Sequence, residues 1–279
     1  MSLPFFICMI SQKIPKLRSE LFFFFFVIKK NIQNEMQHRT AFIMQVVGMM
    51  LNNFSLLILW VVFLSMNGDI NGWGVPEIIA INGVIALVYG TVFSLGDGLA
   101  GLPDKVHTGT FDTLILAPKN LFLRILSSSS RTSAIGDILF GVILLAVYFI
   151  MTQAPLSQIL LLLLLCIPSI ITFLHFLFLT KLIIFYIPDS ESISNTLVES
   201  LMNPSFYPSG VFQGALRFFL FFIIPALAVA GMPIEMLIHF DWAWFLAMFG
   251  LAIFWTVLSH LVFKRALRRY ESGNLVGGR

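Results

Sequence analysis

Few side chains of this 279-residue sequence have the polar or ionisable groups that chemistry needs, and those few lie inside or between long apolar runs. Asn52, Asn53 and His175 fall within apolar runs. Residues 96–101 read Gly-Asp-Gly-Leu-Ala-Gly, and residues 107–120 read "HTGTFDTLILAPKN". Each feature has a functional and a structural interpretation, and the surrounding sequence must decide between them.

The glycine-rich run at 96–101 matches the dinucleotide fingerprint G-x-G-x-x-G letter for letter. That fingerprint works only between a strand and a helix, where the helix N-terminus meets a pyrophosphate. Here the run follows a long apolar segment, and Pro103-Asp104 come directly after it. We therefore interpret it as the flexible C-terminal end of a membrane helix, where glycine accepts left-handed backbone.

Apart from that run, the common catalytic and nucleotide-binding motifs are missing from the sequence. It contains no Gly-Lys pair, and hence no phosphate-binding loop of the ATPase kind, no H-E-x-x-H and no G-x-S-x-G. The five histidines are not spaced as metal ligands, and Cys8 and Cys166 lie far apart in apolar surroundings. We expect no catalytic residue, no cofactor and no metal on this chain, which we predict is not an enzyme.

The composition is that of a membrane protein. Hydrophobic residues make up 58% of the chain and charged residues 11%, whereas a soluble domain is about 45–50% apolar and about 25% charged. A membrane helix needs about 20 mostly apolar residues, and strands of a barrel would alternate in polarity. We predict an all-α integral membrane protein with six transmembrane helices, at about 41–66, 76–99, 133–151, 157–186, 211–230 and 242–263.

The positions of the basic residues predict the orientation of these helices. Six of the seventeen Lys and Arg lie in 1–40, four in 101–132 and five in 264–279, while Lys181 and Arg217 flank 187–211. The connectors on the other side contain none. Because basic residues favour the cytoplasmic side, we expect both termini inside. The predicted organisation is a cytoplasmic leader at 1–40, a transmembrane domain at 41–263 and a basic tail at 264–279.

The leader contains the unusual run Phe22 to Phe26, which is too short to span a membrane. Apolar residues continue beyond it at helical spacing, at Leu17, Leu21, Phe24, Ile28 and Ile32. This pattern predicts a basic amphipathic helix that lies in the interface of the inner leaflet. The alternative is a low-complexity leader without a fixed structure, and the sequence does not assign a role to the phenylalanine run itself.

Polar residues inside the predicted spans are candidates for a transport pathway, since polar groups in a membrane are costly to keep. We take Asn52, Asn53 and His175 as those candidates. The alternative is that they form hydrogen bonds with neighbouring helices, which are worth roughly 0.6 kcal/mol on average. Asp137 lies close to the predicted cytoplasmic boundary, so the sequence does not favour it as a relay at the midplane.

The stretch quoted above belongs to the longest predicted cytoplasmic loop between spans, 101–132. From Asp104 to Asn120 the sequence predicts a short, partly apolar helix at the membrane surface, which Pro118 ends. We interpret it as a contact for a soluble partner, with Phe111 and Leu114 on one face as anchors and Asp112 or Lys119 at the rim. The alternative is an amphipathic loop that packs on lipid headgroups.

Short motifs in a fixed order extend from about residue 35 to residue 273. They are Glu35 with His38 to Phe42, Asn71 to Trp73 with Pro76-Glu77, Gly109 to Asp112 with Leu116 to Pro118, Gly136 to Gly141, Tyr207-Pro208 with Arg217 and Pro225, and Arg269 to Gly273. In this order and spacing the chain resembles the six-span permease subunits of ABC-2 type transporters, particularly an exporter-like branch. The phenylalanine run departs from that pattern.

The resemblance implies a membrane subunit that works with a cytoplasmic ATP-binding-cassette ATPase and a second permease, as a homodimer or a heterodimer. ATP and Mg²⁺ would bind the partner ATPase. The resemblance also implies that the 101–132 loop couples that ATPase to the spans. The coupling residues are then Asp104, Phe111, Asp112, Leu114, Leu116 and Pro118. The leader would correspond to an interfacial elbow helix, and the Pro225–Pro233 region to short external re-entrant helices.

We therefore predict a multi-pass permease in a bacterial cytoplasmic membrane, in contact with lipids and not with nucleic acid. It would export its substrate by alternating access driven by the ATPase. The alternative is a stand-alone secondary transporter of a small or lipophilic substrate. Inverted repeats would favour that alternative, but 41–151 and 157–263 show no convincing match. The sequence reveals neither the substrate nor the identity of the second permease.

Overall fold

A computed structural model describes residues 3–270, with side chains from Arg18 onward except that of Asn67. This part of the chain is helical, with one isolated bridge between Ile70 and Trp73. Its helices are α1 Leu3–Glu35, α2 Arg39–Asn67, α3 Val75–Ala100, α4 Leu102–His107, α5 Thr110–Leu116, α6 Leu121–Leu126, α7 Ser133–Thr152, α8 Leu156–Lys181, α9 Glu191–Ser205, α10 Gly214–Phe222, α11 Ala226–Val229, α12 Gly231–Ile238 and α13 Trp242–Leu267, with 3-10 turns at Leu182–Phe185 and Ser209–Val211.

Within residues 3–270, five segments are helical, long and apolar enough to cross a membrane. They are Arg39–Met66, Val75–His107, Ser133–Thr152, Leu156–Phe185 and Trp242–Leu267. These agree within a few residues with five of the six predicted spans, except that the second extends eight residues further, through α4. Long apolar runs without internal turn signals identify membrane helices well, because a backbone in lipid must satisfy its hydrogen bonds internally.

Helix α3 is the centre of the bundle and packs against α2, α7 and α8. In its most apolar 18-residue stretch, 78% of the residues are buried inside the protein, whereas in that of α2 only 11% are. Glycines permit the close approach of α3 and α7: a Cβ on Gly141 would lie 2.7 Å from the carbonyl oxygen of Gly83, and one on Gly90 would lie 2.8 Å from the carbonyl oxygen of Ala134. Small residues at such crossings are typical of membrane helices.

The glycine-rich run at 96–101 has a packing role. Helix α3 continues through it to Ala100, with a local departure from helical backbone at Gly96. A Cβ on Gly98 would overlap the carbonyl oxygen of Ile125 in α6. The predicted helix end is therefore present, but the glycine at 98 is required by the approach of α6 and not by left-handed backbone.

The bundle has two ends, which we name by a residue at each. The Phe111 end comprises α4, α5, α6 and the turn Leu182–Phe185. The Trp73 end comprises residues 68–74 and 209–211. At this end, the side-chain amide of Asn71 donates to the carbonyl oxygen of Gly210 over 3.0 Å.

The predicted span at 211–230 is wrong as a single helix. The chain forms α10, α11 and α12 there, of nine, four and eight residues. Pro225 precedes α11 and has no backbone N–H to continue α10. These three helices return toward the Trp73 end, where Glu235 of α12 accepts a hydrogen bond of 2.5 Å from Ser209.

The basic residue Arg217 lies toward the Trp73 end, whereas Lys181 precedes the turn Leu182–Phe185 of the Phe111 end. Its guanidinium forms an ion pair of 2.7 Å with Glu235 and lies over the ring of Trp244, 5.3 Å from the ring centroid. The sequence predicts that Lys181 and Arg217 flank one short connector, whereas in the structure helix α9 separates them.

Helix α9, which the sequence assigned to a connector, runs between the two ends. It begins where the ammonium of Lys181 donates to Asn195 over 2.5 Å and to Ser194 over 3.2 Å. It is followed by the turn at 209–211, which contacts Trp73. Its 15 residues are rich in Ser, Asn, Thr and Glu. Its mean hydropathy is therefore too low for the sequence to predict a membrane span there.

The leader forms one long helix, α1, as its spacing predicts. Phe24 and Ile28 are buried against the protein, while Phe22, Phe25 and Phe26 are 72%, 59% and 49% exposed. The amphipathic character of this helix and its place in a lipid interface stay predictions. Residues 271–279 of the basic tail lie outside the described residues.

The α3–α7 contact gives a stability prediction. We expect Gly141→Val to lower the thermal midpoint of the purified protein by about 4 °C or more, because overpacking a tight contact costs about 1–3 kcal/mol. Gly250→Val is the matched control, since nothing lies within 4 Å of a Cβ added to that helical glycine. Equal midpoints for the two variants in a thermal-shift measurement would contradict the packing account.

Candidate functional site

The loop between the second and third long helices folds into α4, α5 and α6 and is fixed to the bundle. Phe111 of α5 is fully buried and packs edge-to-face on Phe185 and Tyr270, with ring centroids 5.5 Å and 5.0 Å away. The hydroxyl of Tyr270 donates to the carboxylate of Asp112 over 2.8 Å. The loop thus contacts both the turn that follows α8 and the residues that follow α13.

Arg124 of α6 holds α6 against the C-terminal end of α5. Its guanidinium donates to the carbonyl oxygens of Thr113, over 3.0 Å, of Ala117, over 3.2 Å, and of Leu114. These carbonyls belong to the C-terminal end of α5, where a cation is favourable. Burial lowers the pKa of Arg124, yet an arginine still carries its charge at physiological pH.

Helix α1 also contacts the loop. The backbone N–H of Asn120 donates to the carboxylate of Glu20 over 3.1 Å, and the ammonium of Lys119 donates to the hydroxyl of Ser19 over 2.6 Å. Further along α1, the amide of Asn31 donates to the carbonyl oxygen of Ser127 over 2.9 Å. Lys119, predicted as a rim charge for a partner, therefore bonds within the chain.

The predicted docking face of the loop needs correction. Phe111 cannot anchor a partner without leaving its buried position, because its exposed fraction is 0%. Leu114 is only partly exposed, whereas Leu116 is 85% and Ile115 42% exposed. The apolar surface that α5 offers to another molecule is therefore formed by Ile115 and Leu116, with Pro118 beside them. Asp104 is exposed at the neighbouring helix α4.

A second site is a cavity of ≈ 250 Å³ inside the bundle, between α2, α3, α7 and α9. Asn52 and Asn53, the predicted pathway residues, both line it. The amide of Asn53 donates to the carboxylate of Asp137 over 2.5 Å. The other polar residues of the lining are Asn82, Tyr89 and Arg131, and the remainder are apolar.

His175, the third predicted pathway residue, does not belong to this cavity. It lies on α8 against α13, where its Nδ1 is 2.9 Å from the hydroxyl of Ser259. Its ring stacks on Phe122 of α6 at 5.6 Å and lies 5.3 Å from the ring of His260. The structural interpretation, a polar contact between neighbouring helices, describes His175.

Three cavity residues were missed from the sequence. Asn82 and Tyr89 are seven residues apart, which places them on one face of a helix, and this spacing was available as a signal. Asp137 is the only acidic or basic residue of α7, but its position near the helix start did not favour it. Its partnership with Asn53 required the packing of α2 on α7, which no local pattern reveals.

The described residues contain no group of three or more His, Cys, Asp or Glu side chains placed to hold a metal ion. The ABC-2 family transporter protein family matches residues 50–274. The chain belongs to this family. No curated protein and no solved structure gives a match. The family and the apolar helices together show a membrane permease of an ABC-type transporter.

The burial of Phe111 gives a second stability prediction. We expect Phe111→Ala to lower the protein level and the thermal midpoint, since emptying a buried aromatic site costs about 3–5 kcal/mol. Leu116→Ala, at an exposed apolar position of the same helix, is the control and should leave both unchanged. If Phe111→Ala matched the wild type in both measurements, the packing role of Phe111 would be refuted.

Proposed function

We propose that the chain is the permease subunit of an exporter whose ATP hydrolysis takes place on a separate ATP-binding-cassette subunit. The family match over residues 50–274 is the observation that carries the proposal. The lack of a Gly-Lys phosphate loop in the sequence agrees with an ATP site on another chain. We place the protein in a bacterial cytoplasmic membrane.

We infer six membrane crossings, with α9 as the fifth and both termini in the cytoplasm. The helices α2, α3, α7, α8, α9 and α13 alternate in direction between the Phe111 end and the Trp73 end. The Phe111 end would face the cytoplasm, because the basic residues of 101–132 lie there. Helices α10 to α12 would then enter and leave from the external side.

The α4–α6 loop is suited to transmit force from an ATPase to several helices at once. It continues from α3, and Phe111 joins it to Phe185 after α8 and to Tyr270 after α13. A displacement of α5 would therefore reach α8 and α13 through the aromatic contacts of Phe111 and α3 through the chain itself. This arrangement supports alternating access, in which the bundle closes one end as it opens the other.

The exposed face of α2 supports a partner within the membrane. Only 11% of the residues in its most apolar 18-residue stretch are buried. Leu51, Leu59 and Met66 are more than half exposed. We propose that a second permease covers part of this face, in a homodimer or a heterodimer, and that lipid covers the rest.

We propose that the exposed apolar surface of Ile115, Leu116 and Pro118 is the docking surface for the ATPase. This surface predicts the behaviour of two matched variants. We expect Leu116→Ala to reduce copurification of the ATPase by about 10-fold or more, because truncating an interface anchor typically costs about 2 kcal/mol. Thr113→Ala, an exposed position on the same helix, should leave it unchanged. The measurement is the ratio of ATPase to tagged permease by quantitative mass spectrometry.

That ratio also tests the proposed function itself. Recovery with the wild-type chain of a protein with a phosphate-binding loop supports the permease assignment. A wild-type complex without any ATPase would contradict it and favour a secondary transporter. Equal ratios for the two variants and the wild type would show that Leu116 does not belong to the docking surface.

A further inference from the structure

A larger apolar crevice between α2 and α9 adjoins the cavity between α2, α3, α7 and α9. The crevice has a volume of ≈ 890 Å³ and is lined by Trp60, Phe63 and Tyr207 among others. Leu56 and Phe206 line both spaces, so the two spaces meet at these side chains, and together we call them the path. One end of this path is polar and the other is apolar.

The polar end has a carboxylate, that of Asp137, and no basic group that the structure describes is in direct contact with it. Among the described residues no Lys, Arg or His nitrogen lies within 4.0 Å of Asp137, whose hydrogen bond comes from the neutral amide of Asn53. Arg131 also lines the cavity, and its charge acts on Asp137 from beyond contact distance. Its guanidinium pairs directly with Asp97 at 2.8 Å and lies 4.3 Å from the ring centroid of Phe93.

A carboxylate in such surroundings favours a ligand that brings positive charge. Moving a charged group out of water is costly unless a counter-charge and hydrogen bonds replace the water. A protonated primary amine supplies both, since it has three N–H donors. Besides Asp137, the amide oxygens of Asn52 and Asn82 are acceptors in the same lining.

The apolar crevice defines the rest of the ligand. From Asn53 to Trp60 the α2 helix rises about 10 Å, at about 1.5 Å per residue. Leu56 and Phe206 lie between the two ends, and Leu59 and Phe63 are 62% and 45% exposed at the mouth. A slender apolar chain would fit along this path and enter from the exposed side of α2.

We propose that this path binds an amphiphile with a protonated primary amine as its head, at Asp137, and an apolar chain that extends to Trp60. The proposal names a substrate class for the proposed permease and so rests on that function. The amine could belong to a single-chain molecule or to the headgroup of a membrane lipid, and the experiment separates these two sources.

The test uses bromine as a contact quencher of tryptophan fluorescence. The full chain, in nanodiscs of phosphatidylcholine, is titrated with 8-bromooctylamine and with 8-bromooctan-1-ol, which has the same chain and a neutral head. We expect saturable quenching by the amine at a concentration at least 10-fold lower than by the alcohol. Trp60→Phe should remove the saturable component. Equal potency of the two probes would overturn the proposal.

Three acid variants make the test specific. Asp137→Asn should weaken the amine at least 10-fold and leave the alcohol unchanged, so that the alcohol reports an intact crevice. Asp137→Glu should keep the preference for the amine. Asp189→Asn, at an exposed acid outside the cavity, should match the wild type. Unchanged amine binding by Asp137→Asn would refute the role of the carboxylate.

A lipid arm identifies the source of the amine. Nanodiscs with phosphatidylethanolamine in half of the lipid are compared with phosphatidylcholine alone. Weaker binding of the bromoamine in the mixed nanodiscs would assign the site to a lipid headgroup, whereas unchanged binding would assign it to a single-chain amine. If the wild-type chain copurifies with an ATPase but binds the amine and the alcohol equally well, the proposed substrate class is rejected and the proposed permease function stands.

Discussion

The close contact between α3 and α7 is the constraint on which the rest of the bundle depends. Gly83 and Gly141 let the two backbones meet without intervening side chains, and Gly98 does the same for α3 and α6. With α3 held at the centre, polar residues can lie inside the bundle instead of facing lipid. Asp137, Asn53 and Tyr89 can therefore form a polar cavity, because helices on several sides exclude lipid from it.

Helix α9 packs only one face against the bundle, and the buried residues of that face are Ser194, Val198, Leu201 and Ser205. Glu191, Asn195 and Glu199 on the rest of this helix are exposed. Its Ser205 donates to the carbonyl oxygen of Ala226, and the hydroxyl of Tyr89 donates to that of Met202. Polar groups that lipid would penalise are satisfied by other parts of the chain. This arrangement makes α9 a wall of the cavity, and it connects the fold to the proposed path for an amphiphile.

Five long helices were predicted from the sequence because their apolar length is a local property. The fifth crossing was placed at 211–230, where composition is apolar but Pro225 divides the chain into short helices. The sequence predicts Phe111 as an anchor for a soluble partner. An amphipathic pattern shows that one face of a helix is apolar, but it does not show whether another protein or the rest of the chain covers that face. The contacts with Phe185 and Tyr270 join residues far apart in sequence, so the pattern could not distinguish a docking face from a packing face.

The direction of α9 is the central claim, since it determines the topology, the external position of α10 to α12 and the walls of the cavity. The most direct measurement is side-specific labelling of single cysteines at Ser192 and Val211, both exposed, in a chain whose two natural cysteines are replaced by serine. The account predicts that position 192 reacts only from the cytoplasm and position 211 only from outside. Labelling of both positions from the cytoplasm would contradict it and restore α9 as a connector.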